Sequence, residues 1–259
     1  MSETLQLSQN GNLGIIKFNR PDVFNSFNKE LALAVQQALN DYENDSSVRA
    51  IMLTGNGKAF CAGQDLQEAV ADNGLEIEQI VDEHYNPLVK QLRTIEKPIV
   101  AAVNGVAAGA GANIALACDV VVATHSSAFI QAFSKIGLVP DSGGTFTLPR
   151  IIGFGKASAL MMLGDKVSAE EAEKMGMIYK VFSDESFKEE SEKLAQKLAQ
   201  MPTKGLAYTK NLLNQSFSNN LNDQLELEKE WQHKATLTAD HIEGVNAFIE
   251  KRKPEFKGE

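Results

Sequence analysis

A single carboxylate, Asp141, stands where an acid could move protons during catalysis. It follows the apolar segment 136–140, Ile-Gly-Leu-Val-Pro, and precedes residues 142–145, Ser-Gly-Gly-Thr, a flexible turn that is typical of a helix start. An acid between a buried segment and backbone N–H groups can have its pKa tuned for proton transfer. An Asp that only caps the next helix or shapes the turn would show the same local sequence.

Two glycine-containing turns could supply a partner for such an acid. Residues 62–65 read Ala-Gly-Gln-Asp and residues 109–111 read Gly-Ala-Gly, and each turn follows an apolar strand. Two backbone N–H groups aimed at one carbonyl oxygen form an oxyanion hole, which stabilises an enolate. A helix that begins near Gly111 would add a dipole that favours negative charge. Each turn alone also fits an ordinary strand-to-helix connection.

The composition and the missing motifs exclude several classes of function. The formal net charge of −9 argues against a nucleic-acid partner and gives no support for an anionic membrane partner. No run of 18 apolar residues and no signal peptide are present, and two cysteines are too few for a disulfide framework, so a cytoplasmic protein is expected. The chain has no Walker, HExxH or GxSxG motif, its GxG lacks the third glycine, and no metal site is predicted.

The elements that must position these turns alternate between strands and helices up to about residue 165, which indicates an α/β fold. The sequence predicts a hairpin over residues 5–19, a helix over 28–44 with Asn28 as its N-cap, and buried strands over 49–54, 99–103 and 119–123. It also predicts helices over residues 81–96 and 113–118, and a mobile flap over 67–80.

The last third of the chain is expected to be helical. Ser168 and Glu171 fit a capping box, and helical patterns continue over residues 185–200, 204–216 and 221–252. The expected organisation is an α/β core over residues 1–195 and a C-terminal helical region over 196–259, packed on the core and forming the oligomer interface.

The motifs around the two turns and Asp141 resemble the crotonase, or enoyl-CoA hydratase/isomerase, superfamily. They are AFCAGQDL at 59–66, KPIVAAVNGVAAGAGANIALACDV at 97–120, and residues 133–150. NGVAAGAGA and AFSKIGLVPDSGGT look most similar to its 1,2-epoxyphenylacetyl-CoA isomerase branch, which belongs to phenylacetate degradation. The resemblance implies an α/β spiral of ββα units whose C-terminal helices support homotrimers or dimers of trimers.

The resemblance also assigns roles to individual residues. The backbone N–H groups of Gln64 and Ala110 match the family's two thioester-polarising donors. The CoA-binding positions correspond to Arg20, Asn25, Ala62, Asp65, Leu66, Phe248 and Lys251. The walls of the acyl pocket are expected from Tyr85, Asn113, Phe133 and Phe146. Coenzyme A would then be part of an acyl-CoA substrate, and no separate cofactor is expected.

The departures from the family pattern point to the reaction. Hydratases of this family use two glutamates, but the matching positions are Asn113 and Phe133, and no Glu lies between Glu96 and Glu170. Asp141 matches the acid of the epoxyphenylacetyl-CoA and dienoyl-CoA isomerase branches. A single carboxylate beside an oxyanion hole can move a proton from one carbon to another without a metal or redox cofactor. A CoA-thioester isomerase acting on a ring epoxide of phenylacetyl-CoA or on a 3-enoyl-CoA is therefore predicted.

Three other functions remain open on the sequence alone. A hydratase could use Asp141 by itself with water. A CoA-dependent dehalogenase or hydrolase would use Asp141 as a nucleophile, with His84 as the only histidine to nominate as its base. The chain could also be a non-catalytic CoA-ester binder in a hetero-complex with an enoyl-CoA hydratase. Two further acids nearby, Asp119 and Asp165, are expected to be structural.

Overall fold

The computed structural model describes residues 3–69 and 76–259. In this part of the chain the strands are β1 (Leu5–Asn10), β2 (Leu13–Phe18), β3 (Ala50–Gly55), β4 (Ala59–Cys61), β5 (Ile99–Val103), β6 (Val106–Ala108), β7 (Val120–Thr124), β8 (Ala128–Ile130), β9 (Lys166–Ser168) and β10 (Lys180–Phe182). The helices are α1 (Lys29–Asn44), α2 (Leu66–Ala69), α3 (Ile77–Ile80), α4 (Asn86–Thr94), α5 (Ala110–Ala117), α6 (Gly144–Ile152), α7 (Phe154–Leu163), α8 (Ala169–Lys174), α9 (Phe187–Ala199), α10 (Thr203–Ser216), α11 (Leu221–Thr236) and α12 (Ala239–Glu250).

The described strands form two sheets. The larger sheet has the order β1-β2-β3-β5-β7-β10 and is parallel except for the β1–β2 hairpin. The smaller sheet has the order β4-β6-β8-β9 and is parallel except for the β8–β9 pair. Successive strands from β3 to β8 therefore alternate between the sheets. This arrangement confirms the α/β spiral of ββα units, and α9 to α12 confirm the helical C-terminal region.

Both faces of the larger sheet are buried around β3, which begins with four apolar residues, Ala50 to Leu53. Ile51 and Leu53 point into the main core, whereas Ala50 and Met52 point to the opposite face. That opposite face is covered by α9, and the small side chain of Ala195 packs there. Alternate residues of a strand face opposite sides of its sheet, so a strand buried on both faces has to be apolar throughout.

Several local predictions are confirmed by the hydrogen bonds of the structure. The β1–β2 hairpin pairs Leu5 with Phe18 and the residues between them in register. The side chain of Asn28 accepts a hydrogen bond from the N–H of Leu31 at the start of α1. Ser168 and Glu171 form the expected capping box at the start of α8.

Other predictions have to be corrected. The helix predicted over residues 81–96 begins as a π-helical turn, Val81–Tyr85, before α4. The long helix predicted over 221–252 is two helices, because the side chain of Thr238 caps α12 after α11 has ended. The helix expected over 113–118 begins earlier, as α5. Part of the predicted flap, residues 70–75, lies outside the described residues, and α2 and α3 occupy its two flanks.

The boundary predicted between residues 195 and 196 falls inside α9, whose residues Ala195 and Ala199 lie in the same apolar cluster on the larger sheet. The helix therefore belongs as a whole to the layer that covers the core. Among the described helices, none is long and apolar enough to cross a lipid bilayer.

Candidate active site

The backbone of Gln64 is held by a single parallel bridge to Phe27, just after β4. The N–H of Phe27 donates to the carbonyl oxygen of Gly63 at 2.7 Å, and the N–H of Asp65 donates to the carbonyl oxygen of Phe27 at 2.8 Å. In a parallel pairing the residue between these two bonded groups directs its own N–H to the other side. No described residue accepts a hydrogen bond from the N–H of Gln64, so this donor is available.

The second candidate donor is the N–H of Ala110, at the first position of α5. The preceding Gly109 adopts φ 52° and ψ −127°, and its own N–H donates to the carbonyl oxygen of Ile130 at 2.9 Å. The first N–H groups of an α-helix have no acceptor within the helix. For Ala110 no acceptor is found in the rest of the described chain either, so its N–H is also available.

Glycines allow the two turns to lie against each other. A Cβ atom added to Gly63 would stand 3.6 Å from the nitrogen of Ala110. A Cβ atom added to Gly111 would stand 2.3 Å from the carbonyl oxygen of Cys61, which is impossible without a backbone shift. The two available N–H groups are therefore brought close together, as polarisation of one carbonyl oxygen requires.

Asp141 is half-buried in the turn that precedes α6. Burial raises the pKa of its carboxyl group from 3.8 to about 6, while a hydrogen bond from the hydroxyl of Ser142 to Oδ1, at 2.9 Å, acts in the opposite direction. Removal from water disfavours the charged form of a carboxyl group. The side chain is therefore a stronger base than an exposed Asp, and most of it is still ionised at neutral pH.

Asn113 links the Asp141 turn to α5. Its side chain is buried, and Nδ2 donates to the backbone carbonyl oxygen of Asp141 at 2.9 Å. Its Oδ1 accepts a hydrogen bond from Nε2 of Gln131 at 2.8 Å. A Cβ atom added to Gly144 would stand 2.3 Å from Nδ2 of Asn113, so the two segments are in close contact. Asn113, predicted as a wall of the acyl pocket, supports the main chain of Asp141, and sequence reasoning missed this link.

Tyr85 and Phe133 lie beside the two donor turns. The hydroxyl of Tyr85 donates to Oε1 of Gln64 at 2.6 Å, and the side chain is 1% exposed. Burial raises the pKa of Tyr85 well above 10, and the nearby charge of Asp141 contributes in the same direction. The ring of Phe133 is buried, and its Cζ would be 3.8 Å from a Cβ atom on Gly109.

The ring of Phe146 packs elsewhere. It makes an edge-to-face contact with Phe217, with ring centroids 5.5 Å apart, and the guanidinium of Arg150 lies 3.8 Å above its centroid. Half of Phe146 is exposed. Its predicted place in the acyl pocket therefore stays a prediction.

Arg20 and Asp65, both predicted to bind CoA, are paired with each other. Nη2 of Arg20 lies 2.8 Å from Oδ2 of Asp65, and Nη1 donates to the carbonyl oxygen of Ser26 at 2.6 Å. Both side chains are more than four-fifths buried. This ion pair joins the 62–65 turn to the segment before α1, and it is a contact that sequence reasoning missed.

The predicted contact of Asn25 with CoA stays a prediction, and the structure shows a further role for its side chain. The residue is fully buried and adopts a φ of 56°. Its Nδ2 donates to the carbonyl oxygens of Asn56 and Ala59, and its Oδ1 accepts from the N–H of Arg20. With no exposed surface in the single chain and both ends of its carboxamide bonded, Asn25 shapes the turn that carries Arg20.

The remaining predicted CoA positions are accessible in the single chain. Ala62 is half-buried and Leu66 is about half exposed. Phe248, on α12, is 86% exposed, and Lys251, which ends that helix with φ 55°, is exposed as well. Accessibility alone does not establish a contact, so the predicted contacts of these four residues with CoA stay predictions.

The other titratable residues singled out by the sequence have distinct surroundings. Asp119 lies 2.9 Å from Nζ of Lys210 and accepts the N–H of Ile99 at 2.8 Å, which confirms a structural role. Asp165 is exposed. His84 is buried, its Nε2 has no partner among the described residues, and burial lowers its pKa. The described residues contain no group of three His, Cys, Asp or Glu side chains that could hold a metal ion.

Comparison with known proteins identifies the family. The family model described as enoyl-CoA hydratase/isomerase matches residues 8–259. The chain belongs to the enoyl-CoA hydratase/isomerase family. A protein of Escherichia coli strain K12 named 1,2-epoxyphenylacetyl-CoA isomerase is 45% identical over 246 residues, which cover 94% of both chains. A Rhodobacter capsulatus protein named "Probable enoyl-CoA hydratase" is 42% identical over 255 residues, 98% of both chains.

Solved structures of the family share this fold along the whole chain. A crystal structure of an enoyl-CoA hydratase from Bacillus anthracis superposes with a TM-score of 0.92 at 31% identity, covering 99% of this chain and 100% of that one. The protein is thus an enzyme of the crotonase superfamily, whose members act on acyl-CoA thioesters. Some of these relatives are named as isomerases and others as hydratases, so their names do not define the reaction of this enzyme.

Proposed function

We propose that this enzyme is an acyl-CoA isomerase that uses Asp141 as its only proton shuttle. The observation that carries the proposal is the position of this half-buried acid, whose pKa is raised to about 6. Asn113 ties the main chain of Asp141 to α5, the helix that begins with the Ala110 donor. Tyr85, which is bonded to Gln64, is near enough for the charge of Asp141 to contribute to its raised pKa. The acid is therefore bonded to the helix of one donor and lies in the neighbourhood of the other.

The proposed reaction begins with the thioester oxygen accepting hydrogen bonds from the N–H groups of Gln64 and Ala110. The carboxylate of Asp141 takes a proton from carbon, and the negative charge moves to the thioester oxygen as an enolate. The same carboxyl group then returns the proton to another carbon, so no atom is gained or lost. Each polarising donor of this kind is worth about 3 kcal/mol of barrier. This offsets the weak acidity of the carbon-bound proton.

Two substrate classes fit a proton shuttle of this kind. A 3-enoyl-CoA would lose a proton at C2 and regain it at C4, which gives the 2-enoyl isomer. A ring epoxide of phenylacetyl-CoA would be isomerised to an oxepin after loss of the proton next to the thioester. The name of the Escherichia coli relative supports the second class. We propose 1,2-epoxyphenylacetyl-CoA isomerisation, 3-enoyl-CoA isomerisation, or both.

Hydration is the second candidate, because the Rhodobacter capsulatus relative is named as a hydratase. The two glutamates expected in a hydratase of this family are replaced by Asn113 and Phe133. Asn113 is bonded on both sides, and Phe133 is a buried hydrocarbon that offers no group to activate water. A hydratase would have to activate water and protonate carbon with Asp141 alone, so we favour the isomerase.

The proposed assembly is a homotrimer or a dimer of trimers, and the alternative is a hetero-complex with an enoyl-CoA hydratase. Support comes from large apolar side chains that the single chain leaves exposed on and beside its last two helices: Leu221, Leu225, Leu237, Ile242, Phe248 and Ile249. Burial of such side chains between subunits is a strong driving force for association. The absence of a cofactor and a cytoplasmic location stay predictions.

The test compares wild type with Asp141→Asn on 3-enoyl-CoA and ring-epoxide thioesters in isotopic water. We expect the substitution to lower kcat by at least about 10²-fold, the usual contribution of a general base, and to leave the Kd of a saturated acyl-CoA nearly unchanged. The matched control is Asp165→Asn, an exposed acid of the same region, which should retain full activity. Full activity of Asp141→Asn would contradict the proposal, and oxygen from water in the product would favour hydration.

A further inference from the structure

We infer that Tyr85 is a positioning residue that holds the oxyanion-hole donor of Gln64 through the Gln64 side chain. This inference rests on the proposed function, because it assigns Tyr85 a task within the same site. Its basis is a hydrogen bond of 2.6 Å from the Tyr85 hydroxyl to Oε1 of Gln64. The bond joins two segments that are 21 residues apart in the chain.

Backbone hydrogen bonds hold the Gln64 turn only on the side that faces Phe27. Its neighbours Gly63 and Asp65 are bonded to the backbone of Phe27, while the N–H of Gln64 itself has no described acceptor. Gly63 adopts φ 96°, a conformation available mainly to glycine, which also has the largest conformational freedom. Rotation of the peptide group that carries the N–H of Gln64 is opposed by one backbone hydrogen bond, from the N–H of Phe27 to the carbonyl oxygen of Gly63. A second anchor on the side chain of Gln64 restricts that rotation.

The Gln64 carboxamide has a short hydrogen bond at Oε1 and only long contacts at Nε2, the nearer of which is to the carbonyl oxygen of Asp65 at 3.4 Å. Oε1 accepts from Tyr85, and Nε2 lies 3.5 Å from Oε2 of Glu68. The two oxygens of Glu68 in turn accept the N–H of Lys29 at 3.0 and 3.1 Å, at the start of α1. The side chain of Gln64 is thus placed between the π-helical turn and α1, both of which are firmly packed elements of the core.

Tyr85 is itself fixed before it meets Gln64. It is the last residue of the π-helical turn and is 1% exposed. Its ring packs on Phe27, with ring centroids 6.1 Å apart, and Phe27 is the residue whose backbone forms the bridge to Gln64. A buried hydroxyl requires a partner, and here the partner is Gln64. Single π-helical turns inside α-helices are frequent at functional sites.

A looser Gln64 donor should affect the transition state more than substrate binding. The thioester oxygen carries little charge in the substrate and a full charge in the enolate, so a misplaced N–H costs most when the charge has formed. Tyr85→Phe keeps the ring and its packing and removes only the hydroxyl. We expect kcat to fall roughly tenfold, the equivalent of one ordinary hydrogen bond, with KM changed less than about twofold.

The experiment combines kinetics with the infrared band of the thioester carbonyl of a bound saturated acyl-CoA. In the wild type the band should move to lower frequency on binding, and in Tyr85→Phe this shift should be smaller. Tyr42→Phe is the matched control, because the hydroxyl of Tyr42 also donates to an amide oxygen, in this case the backbone carbonyl of Ser8 at 2.8 Å. It should leave kcat and the carbonyl band unchanged.

A double-mutant cycle separates positioning from general stability. In a Gln64→Leu background, which keeps the backbone N–H, Tyr85→Phe should have no further effect on kcat, because the link is already broken. An independent, additive loss, or a wild-type kcat and carbonyl shift in Tyr85→Phe, would overturn the inference.

Two measurements on a saturated acyl-CoA distinguish failure of the role of Tyr85 from failure of the proposed isomerase reaction. They are the infrared carbonyl band and the exchange of the α-proton. Both can be measured if neither isomerisation substrate is turned over, so failure of the proposed reaction leaves Tyr85 testable. A wild-type enzyme that produced no carbonyl shift would overturn the oxyanion hole and the role of Tyr85 together.

Discussion

Replacing Asp141 with Asn is expected to abolish activity and, at neutral pH, to stabilise the protein. Burial raises the pKa of Asp141 from 3.8 to about 6, so the folded state binds this proton more tightly than the unfolded chain. The stabilisation from the bound proton is fully present below about pH 4 and is lost as the pH rises through 6. The difference in pKa corresponds to about 3 kcal/mol, which is an upper limit because the residue is partly exposed. Asn stays uncharged over this pH range, so the variant does not lose this part of the free energy of unfolding.

The assay is urea unfolding of both proteins between pH 4.5 and 7.5 at one fixed protomer concentration, since association also contributes to stability. The free energy of unfolding of Asp141→Asn should exceed that of the wild type by up to about 3 kcal/mol at pH 7.5. This gap should nearly close at pH 4.5. Asp165→Asn, which changes an exposed acid of the same region, is the control variant in these measurements.

The same pKa governs the rate. The value of kcat/KM reports the free enzyme, so it should fall about tenfold per pH unit below pH 6 and level off above 7. Ser142→Ala removes the hydrogen bond that lowers the pKa of Asp141. In this variant the fall of kcat/KM with decreasing pH should therefore begin at a higher pH. A flat profile between pH 5 and 7, or an Asp141→Asn protein that is less stable than wild type at pH 7.5, would refute the reasoning.

Two further substitutions test how the site is held. Gly111→Ala places a Cβ 2.3 Å from the carbonyl oxygen of Cys61. It should cost about 1–3 kcal/mol of stability and most of the activity, whereas Gly155→Ala, in open space, should be neutral in thermal unfolding and rate assays. Asn113→Ala removes the hydrogen bond to the carbonyl of Asp141. It should lower kcat about tenfold in the same rate assay, and an unchanged kcat would argue against this support.

The parts of the fold that the sequence predicted well depend on contacts within a few residues. The N-cap Asn28 and the capping box of Ser168 with Glu171 satisfy backbone groups three residues away, so their signals are contained in short motifs. The two glycine turns were located in the same way. The sequence also suggested that they act as a pair of donors, but only the fold shows that Gly63 lies next to Ala110.

The contacts that support the site could not be derived from such motifs. Tyr85 with Gln64, Asn113 with Asp141, and Arg20 with Asp65 are separated by 21, 28 and 45 residues. The π-helical turn before α4 also escaped prediction, because its apolar residues are spaced as in an ordinary α-helix. The exposed or buried state of a polar side chain such as Asn25 is likewise a property of the whole fold.

Both proposed donors to the thioester oxygen are main-chain N–H groups. One belongs to Gln64, which forms the bridge to Phe27, and the other to Ala110. In the proposed mechanism, activation of the thioester therefore depends on backbone shape, whereas the choice of acyl group depends on side chains. The two traits can change independently during evolution. A library that randomises the residues around Asp141 while it retains Gly63 and Gly109 should keep enolate chemistry and yield enzymes for new acyl groups.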